Sequence, residues 1–109
     1  MARYLVQVSY TAEAAATFAS KPQDRVGGVR ALVERMGGQL ESFDYALGEY
    51  DVVITFSVPD DTTAVAVALA ALSPGHLRSY KTTKLLSPDE FLEASRKASV
   101  AGYQGPTRG

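Results

Sequence analysis

The tetrapeptide Gly48-Glu49-Tyr50-Asp51 separates two runs of β character, and no other stretch constrains the fold of this chain as much. The run before it is Gln39–Leu47 and the run after it is Val52–Val58. Alternation along the second run puts Val52, Ile54, Phe56 and Val58 on one face and Val53, Thr55 and Ser57 on the other. A glycine between two such runs supplies positive φ, so Gly48-Glu49 reads as a tight two-residue hairpin turn. Two antiparallel neighbours are therefore expected in the middle of the chain.

The flanking segments supply the remaining elements. Tyr4–Tyr10 reads as a first strand with Tyr4, Val6, Val8 and Tyr10 on one face and the more polar set Leu5, Gln7 and Ser9 on the other. Thr11–Ser20 is alanine-rich, and Thr11-Ala12-Glu13 can open a short helical turn. Pro22–Met36 is expected to be a helix, because Val26, Val29, Leu32, Val33 and Met36 form one apolar stripe and proline is tolerated in a first turn. Gly37-Gly38 ends it. Pro59-Asp60-Asp61-Thr62 closes the third strand and opens a second helix, with Val65, Ala68, Leu69 and Leu72 expected as its buried stripe. After the turn Ser73-Pro74-Gly75, His76–Leu85 reads as a fourth strand. Ser87-Pro88-Asp89-Glu90 has the form of a capping box, Leu86 and Phe91 take the two positions of a hydrophobic staple, and a third helix should run from Pro88 to about Ala98.

The order β-α-β-β-α-β-α defines an α+β fold: a ferredoxin-like βαββαβ unit with an extra C-terminal helix and a four-stranded antiparallel sheet. Residues 1–98 form the domain and 99–109 a tail. Both long helices pack on one face of such a sheet. The other face, with Leu5, Gln7 and Ser9 beside Val53, Thr55 and Ser57, has half-buried character and is expected to meet the same face of a second copy in a homodimer or higher homo-oligomer.

Composition narrows the functional classes. The formal net charge of -1 gives no global field to attract nucleic acid or an anionic membrane. The open face also lacks the aromatic platform of an RNA-binding sheet. Without cysteine there is no disulfide, thiolate metal site or cysteine nucleophile. The apolar stretch Ala64–Leu72 is far shorter than the roughly 20 residues that span a bilayer, and Gln7, Ser9 and Glu13 interrupt any leader-like core. A cytoplasmic protein bound neither to membrane nor to nucleic acid is expected.

Chemistry has few candidates. His76 is the single histidine, and an imidazole can act as a general base near neutral pH. It has no companion ligands at metal-binding spacing, so no metal site is expected. Tyrosine is abundant, with six residues against no tryptophan, and Tyr4, Tyr10, Tyr45 and Tyr80 all fall on expected strands. Such side chains can line an apolar cavity and aim hydroxyls at a phenol, quinone or lactone. Asp44 and Tyr45 join His76 as candidate catalytic residues, and Tyr4, Tyr80 and Arg78 are candidate substrate contacts. Arg78 can hold a carboxylate, and it shares a face with Tyr80 and Lys84. No Gly-rich phosphate loop and no nucleophile elbow occurs.

Leu47-Gly48-Glu49-Tyr50-Asp51-Val52-Val53 resembles the signature of the GYD domain family, and the element order from Tyr4 to Phe91 matches its plan. The resemblance implies a dimeric α/β-barrel of ferredoxin-like subunits. Related barrel families include cofactor-independent monooxygenases, lactone isomerases, haem-degrading enzymes and dehydratases, alongside members that only bind. Gly48, Tyr50 and Asp51 map onto the motif and read first as turn architecture. The resulting expectation is a cofactor-free enzyme of monooxygenase, isomerase or cyclase type, or a binder of an aromatic or lactone-like metabolite. The alternative is a non-catalytic oligomeric or regulatory ligand-binding module.

Overall fold

The computed structural model describes residues 1–107, in which four strands and four helices follow one another as β1 (Ala2–Tyr10), α1 (Ala12–Ser20), α2 (Val26–Arg35), β2 (Gln39–Tyr45), β3 (Val52–Val58), α3 (Asp61–Leu72), β4 (Leu77–Leu85) and α4 (Pro88–Ser99). The strands form one sheet in the order β2-β3-β1-β4, and every neighbouring pair is antiparallel. This is the ferredoxin-like arrangement. No helix among the described residues is long and apolar enough to cross a membrane.

The central pair β1–β3 builds the core. Tyr4 lies opposite Phe56, Val6 opposite Ile54 and Val8 opposite Val52, all buried on the face that the helices cover. The Tyr4 and Phe56 rings stack with centroids 5.8 Å apart. Val33 from α2 and Ala64 and Val67 from α3 complete the buried cluster. Tyr4 also clasps three elements: its hydroxyl donates to the Asp61 carboxylate at the start of α3, which pairs with Lys84 of β4 at 3.0 Å. Burial and that hydrogen bond push the Tyr4 phenol up to about 12, while the same bond, followed by Lys84, lowers Asp61.

Helix boundaries follow local hydrogen bonding. The stretch 12–20 forms a full helix because the Thr11 side chain caps the Ala14 amide at 3.1 Å. The next helix begins at Val26 rather than Pro22. Here the Asp24 carboxylate accepts from the Val26 amide at 3.0 Å, and the Tyr45 hydroxyl accepts from the Arg25 amide at 2.9 Å, so these donors are engaged outside a helix. Its expected stripe is correct: Val33 is buried and Val26, Val29, Leu32 and Met36 are half-buried. Gly37 at φ 78° ends it, with the Gly38 amide returning to the Val33 carbonyl at 3.0 Å.

The β2–β3 connection differs from the expected tight turn. β2 ends at Tyr45, and the Ala46 amide donates to the Asp51 carbonyl at 2.8 Å, which leaves Leu47-Gly48-Glu49-Tyr50 as a wider loop. Gly48 does not have positive φ, because a four-residue loop reverses the chain without it. The α3 stripe is also out of phase with expectation. Ala64 and Val67 face the sheet, whereas Val65 and Leu69 are 58% and 64% exposed and Leu72 is exposed as well. An almost wholly apolar helix gives periodicity nothing to select between faces. On β4 a bulge opposite Ser9/Tyr10 pairs Leu77 with Tyr10, so Leu77 turns inward and Arg78 stays exposed, off the face of Tyr80.

On the second face of the sheet, Leu5, Gln7, Val53 and Thr55 are half-buried, and among the described residues no helix packs extensively over them. The Ser42 and Thr55 hydroxyls bond at 2.5 Å, and Arg3 pairs with Glu41 at 2.8 Å on that side.

Glycine substitutions separate the two loops. A Cβ at Gly38 would lie 2.2 Å from the Ser57 carbonyl oxygen and 2.6 Å from Val58 Cγ1, whereas a Cβ at Gly48 meets nothing within 4 Å. Gly38→Ala should therefore destabilise by about 2–4 kcal/mol and Gly48→Ala by less than about 0.5 kcal/mol in urea denaturation.

Candidate functional site

The helix-covered side of the sheet is not completely filled. A cavity of about 400 Å³ opens between the sheet and helices α1, α2 and α3. Its floor is the inner ladder Val8, Val52, Ile54 and Phe56, and its walls include Phe18, Leu32, Val67 and Ala71. The gap follows from the sequence of α3, which offers Ala64, Val67 and Ala71 toward the sheet where larger residues would close it. A second recess of about 360 Å³ shares Tyr10, Phe18 and Gln23 with the first and continues to Tyr45 and Asp51.

Polar groups enter this apolar space at few points. Tyr10 and Tyr80 lie on adjacent strands, Gln23 and Arg25 come from the connector before α2, and His76 lies just before β4. Burial alone pushes the Tyr80 phenol up to about 12, with no hydrogen bond contributing. It is thus a neutral donor at any physiological pH. The Tyr10 phenol is also raised, by burial first and then by Tyr45 and Asp51, against the lowering effect of Arg25. Its ring meets Phe18 of α1 edge-on at 4.7 Å between centroids, which fixes the ring at the junction of the two recesses.

Asp51 explains how Tyr10 is held. The β1–β3 ladder ends at the Val8–Val52 pair, and beyond it Asp51 Oδ2 accepts the Tyr10 amide at 2.9 Å. The Asp51 amide donates to the Val8 carbonyl at 2.8 Å. Ser9 Oγ donates to the Glu49 carbonyl at 3.2 Å. The loop 46–51, closed by the Ala46–Asp51 bond, is therefore also tied to β1. Tyr50 is half-buried within it.

The structure brings some of the sequence candidates together and separates others. His76 and Tyr80 line the main cavity. Tyr45 lines the adjoining recess, and its hydroxyl donates to Asp24 at 3.2 Å. Tyr4 lies deeper, against Asp61, and does not line the cavity. Asp44 pairs with Val53 and so projects to the opposite, uncovered face. Arg78 is exposed and outside the cavity. Gln23 and Arg25 were not anticipated. They lie in a stretch that reads as the first turn of a helix, and only the later start of α2 frees them to border a pocket. Among the described residues, no cluster of three or more His, Cys, Asp or Glu is placed to hold a metal ion.

Removing the Asp51 carboxylate leaves the Tyr10 amide without an acceptor, so Asp51→Ala should destabilise by about 1–3 kcal/mol in thermal or urea unfolding. The Tyr80 shift also makes a pH prediction. A phenol raised on folding contributes stability that is complete below its unfolded value near 10 and disappears as pH rises through about 12. Urea midpoints measured from pH 8 to 12 should fall more steeply for the wild type than for Tyr80→Phe.

The sequence model of the GYD domain family matches residues 4–95. No curated protein matches the chain. Among solved structures, the crystal structure of MtbAldR is similar, with a TM-score of 0.56 at 11% identity over 79% of this chain and 52% of that one. The chain thus spans about half the length of that protein, and at this identity the likeness concerns the fold.

Proposed function

The chain belongs to the GYD domain family, and on that premise we propose that it is a small-molecule-binding homodimer whose ligand occupies the cavity between the sheet and helices α1, α2 and α3. The observation that carries this reading is an apolar space of about 400 Å³ whose lining includes Tyr10, Tyr80 and His76. That volume suits a compact aromatic or lactone-like metabolite. The apolar floor supplies burial. The neutral Tyr80 hydroxyl donates to a carbonyl or phenolate oxygen, and Arg25 favours negative charge on that oxygen.

Binding is better supported than turnover. Asp44, the carboxylate that sequence reasoning offered as a base, lies across the sheet. His76 is the lining residue suited to exchange a proton near neutrality, and it is exposed at the edge of the space. A cofactor-independent isomerase or oxygenase activity would run through that imidazole, and a non-catalytic module would not need it.

Dimerisation belongs to this reading through the uncovered face of the sheet. Leu5 and Val53 are apolar groups that a second sheet would bury, and Gln7 and Thr55 beside them are able to bond across it. The cavity itself is lined by a single copy, so it is not a product of barrel closure.

Isothermal titration with a panel of phenols, quinones and aryl lactones tests the site. Ala71→Phe should fill it and weaken binding of the best ligand at least tenfold, with an unchanged far-UV circular dichroism spectrum. Tyr80→Phe should weaken the same ligand by about 1 kcal/mol, roughly fivefold. His76→Ala should leave affinity within a few-fold and remove any turnover. A ligand that binds Ala71→Phe as tightly as the wild type lies elsewhere, and the cavity reading then fails.

A further inference from the structure

We infer that α4 is a self-pairing arm: its apolar face packs antiparallel against α4 of a second copy, as a two-fold contact separate from the open face of the sheet. This inference does not depend on the ligand cavity.

No residue of α4 is buried, and α4 makes no extended packing with any other element. The molecule is 61 Å long, and its radius of gyration is 18.2 Å against about 13 Å for a compact chain of this length. Yet the helix is strongly specified. Ser87 and Glu90 form a complete capping box, Pro88 takes the first turn, acids stand at its start and bases at its end. A free helix of twelve residues is marginal in water, so an element so well defined and so little packed needs a surface from outside its own body.

Its two faces are cleanly divided. At 100° per residue Phe91, Ala94, Ser95 and Ala98 share one arc, flanked by Leu92, while Asp89, Glu93 and Arg96 hold the opposite side. Phe91 is 66% exposed. The Ser95 hydroxyl donates to the Phe91 carbonyl at 3.1 Å, so this arc presents no unmet polar group.

The arc is complementary to itself when reversed. In an antiparallel pair centred between Ala94 and Ser95, the bulky Phe91 of one helix meets the small Ala98 of the other, and the small central residues allow close approach. Glu90 and Lys97 lie on the same flank of the arc, and in this register each Glu90 stands only about 3 Å along the axis from a Lys97 of the second helix, within reach of its side chain. Opposed helix dipoles favour the same orientation. These reciprocal matches select a second copy of this chain over an unrelated partner. One such pair is smaller than a typical stable interface, so it adds to the proposed sheet-mediated pairing, on which this inference rests.

The chain contains no cysteine, which allows a clean test on the full-length protein. Under mild oxidation Ser95→Cys should form a covalent dimer at least tenfold faster than Glu93→Cys, whose side chain lies on the opposite face. Phe91→Glu should halve the assembled mass in sedimentation equilibrium. Lys97→Glu should shift the same association at least fivefold toward the smaller species, and Val53→Asp should act on the other, sheet-mediated step. Equal cross-linking at positions 93 and 95, or an assembled mass unchanged by Phe91→Glu, overturns the inference. Either result would mean that α4 stays free or docks on a different surface.

Discussion

The apolar ladder between β1 and β3 is the constraint on which the rest of the molecule depends. Tyr4 against Phe56, Val6 against Ile54 and Val8 against Val52 place three cross-strand pairs on one face of the sheet. Burying them requires helices on that side, and α2 and α3 supply Val33, Ala64 and Val67. With β1 and β3 paired at the centre, β2 and β4 can only take the edges. The edges then decide where chemistry is possible, because β4 contributes Tyr80 and Leu77 to the same face and β2 contributes Phe43 and Tyr45.

The cavity exists because that ladder is longer than the helices' ability to cover it with large side chains. α3 turns its small residues inward and leaves Val65 and Leu69 outside. The unfilled volume lies at the end of the sheet where β4 bulges against Tyr10, and Asp51 holds Tyr10 from the β3 side by accepting its amide. Asp51 of the family motif thus makes contacts beyond the turn itself. It ties the β2–β3 loop to β1 and so sets the tyrosine at the mouth of the pocket.

Sequence reasoning succeeded where a single pattern had one consistent outcome. The alternation in Val52–Val58, the stripe ending at Met36 and the box at Ser87–Glu90 each have an unambiguous period or cap, and each appears as expected. It failed where two bonding partners competed. The first residues after Pro22 look helical, but Asp24 and Tyr45 take the amides that a helix would need. Gly48 looks like a turn glycine, but the loop is long enough not to need positive φ. Tyr4 and Tyr80 are alike in sequence, yet one is spent on Asp61 and the other faces open space.

By itself the sequence determined the order of the elements apart from the helix Ala12–Ser20, the antiparallel sheet and which face of β1 and β3 is apolar, because these follow from local periodicity and capping within a few residues. Only the tertiary structure decided that Tyr10, Tyr80, His76 and Arg25 border one cavity while Asp44 lies beyond the sheet. It also decided that α4 stands clear of the body. Those outcomes depend on which residues, far apart in the chain, are brought opposite one another and how much space their volumes leave, and no pattern within one segment carries that information.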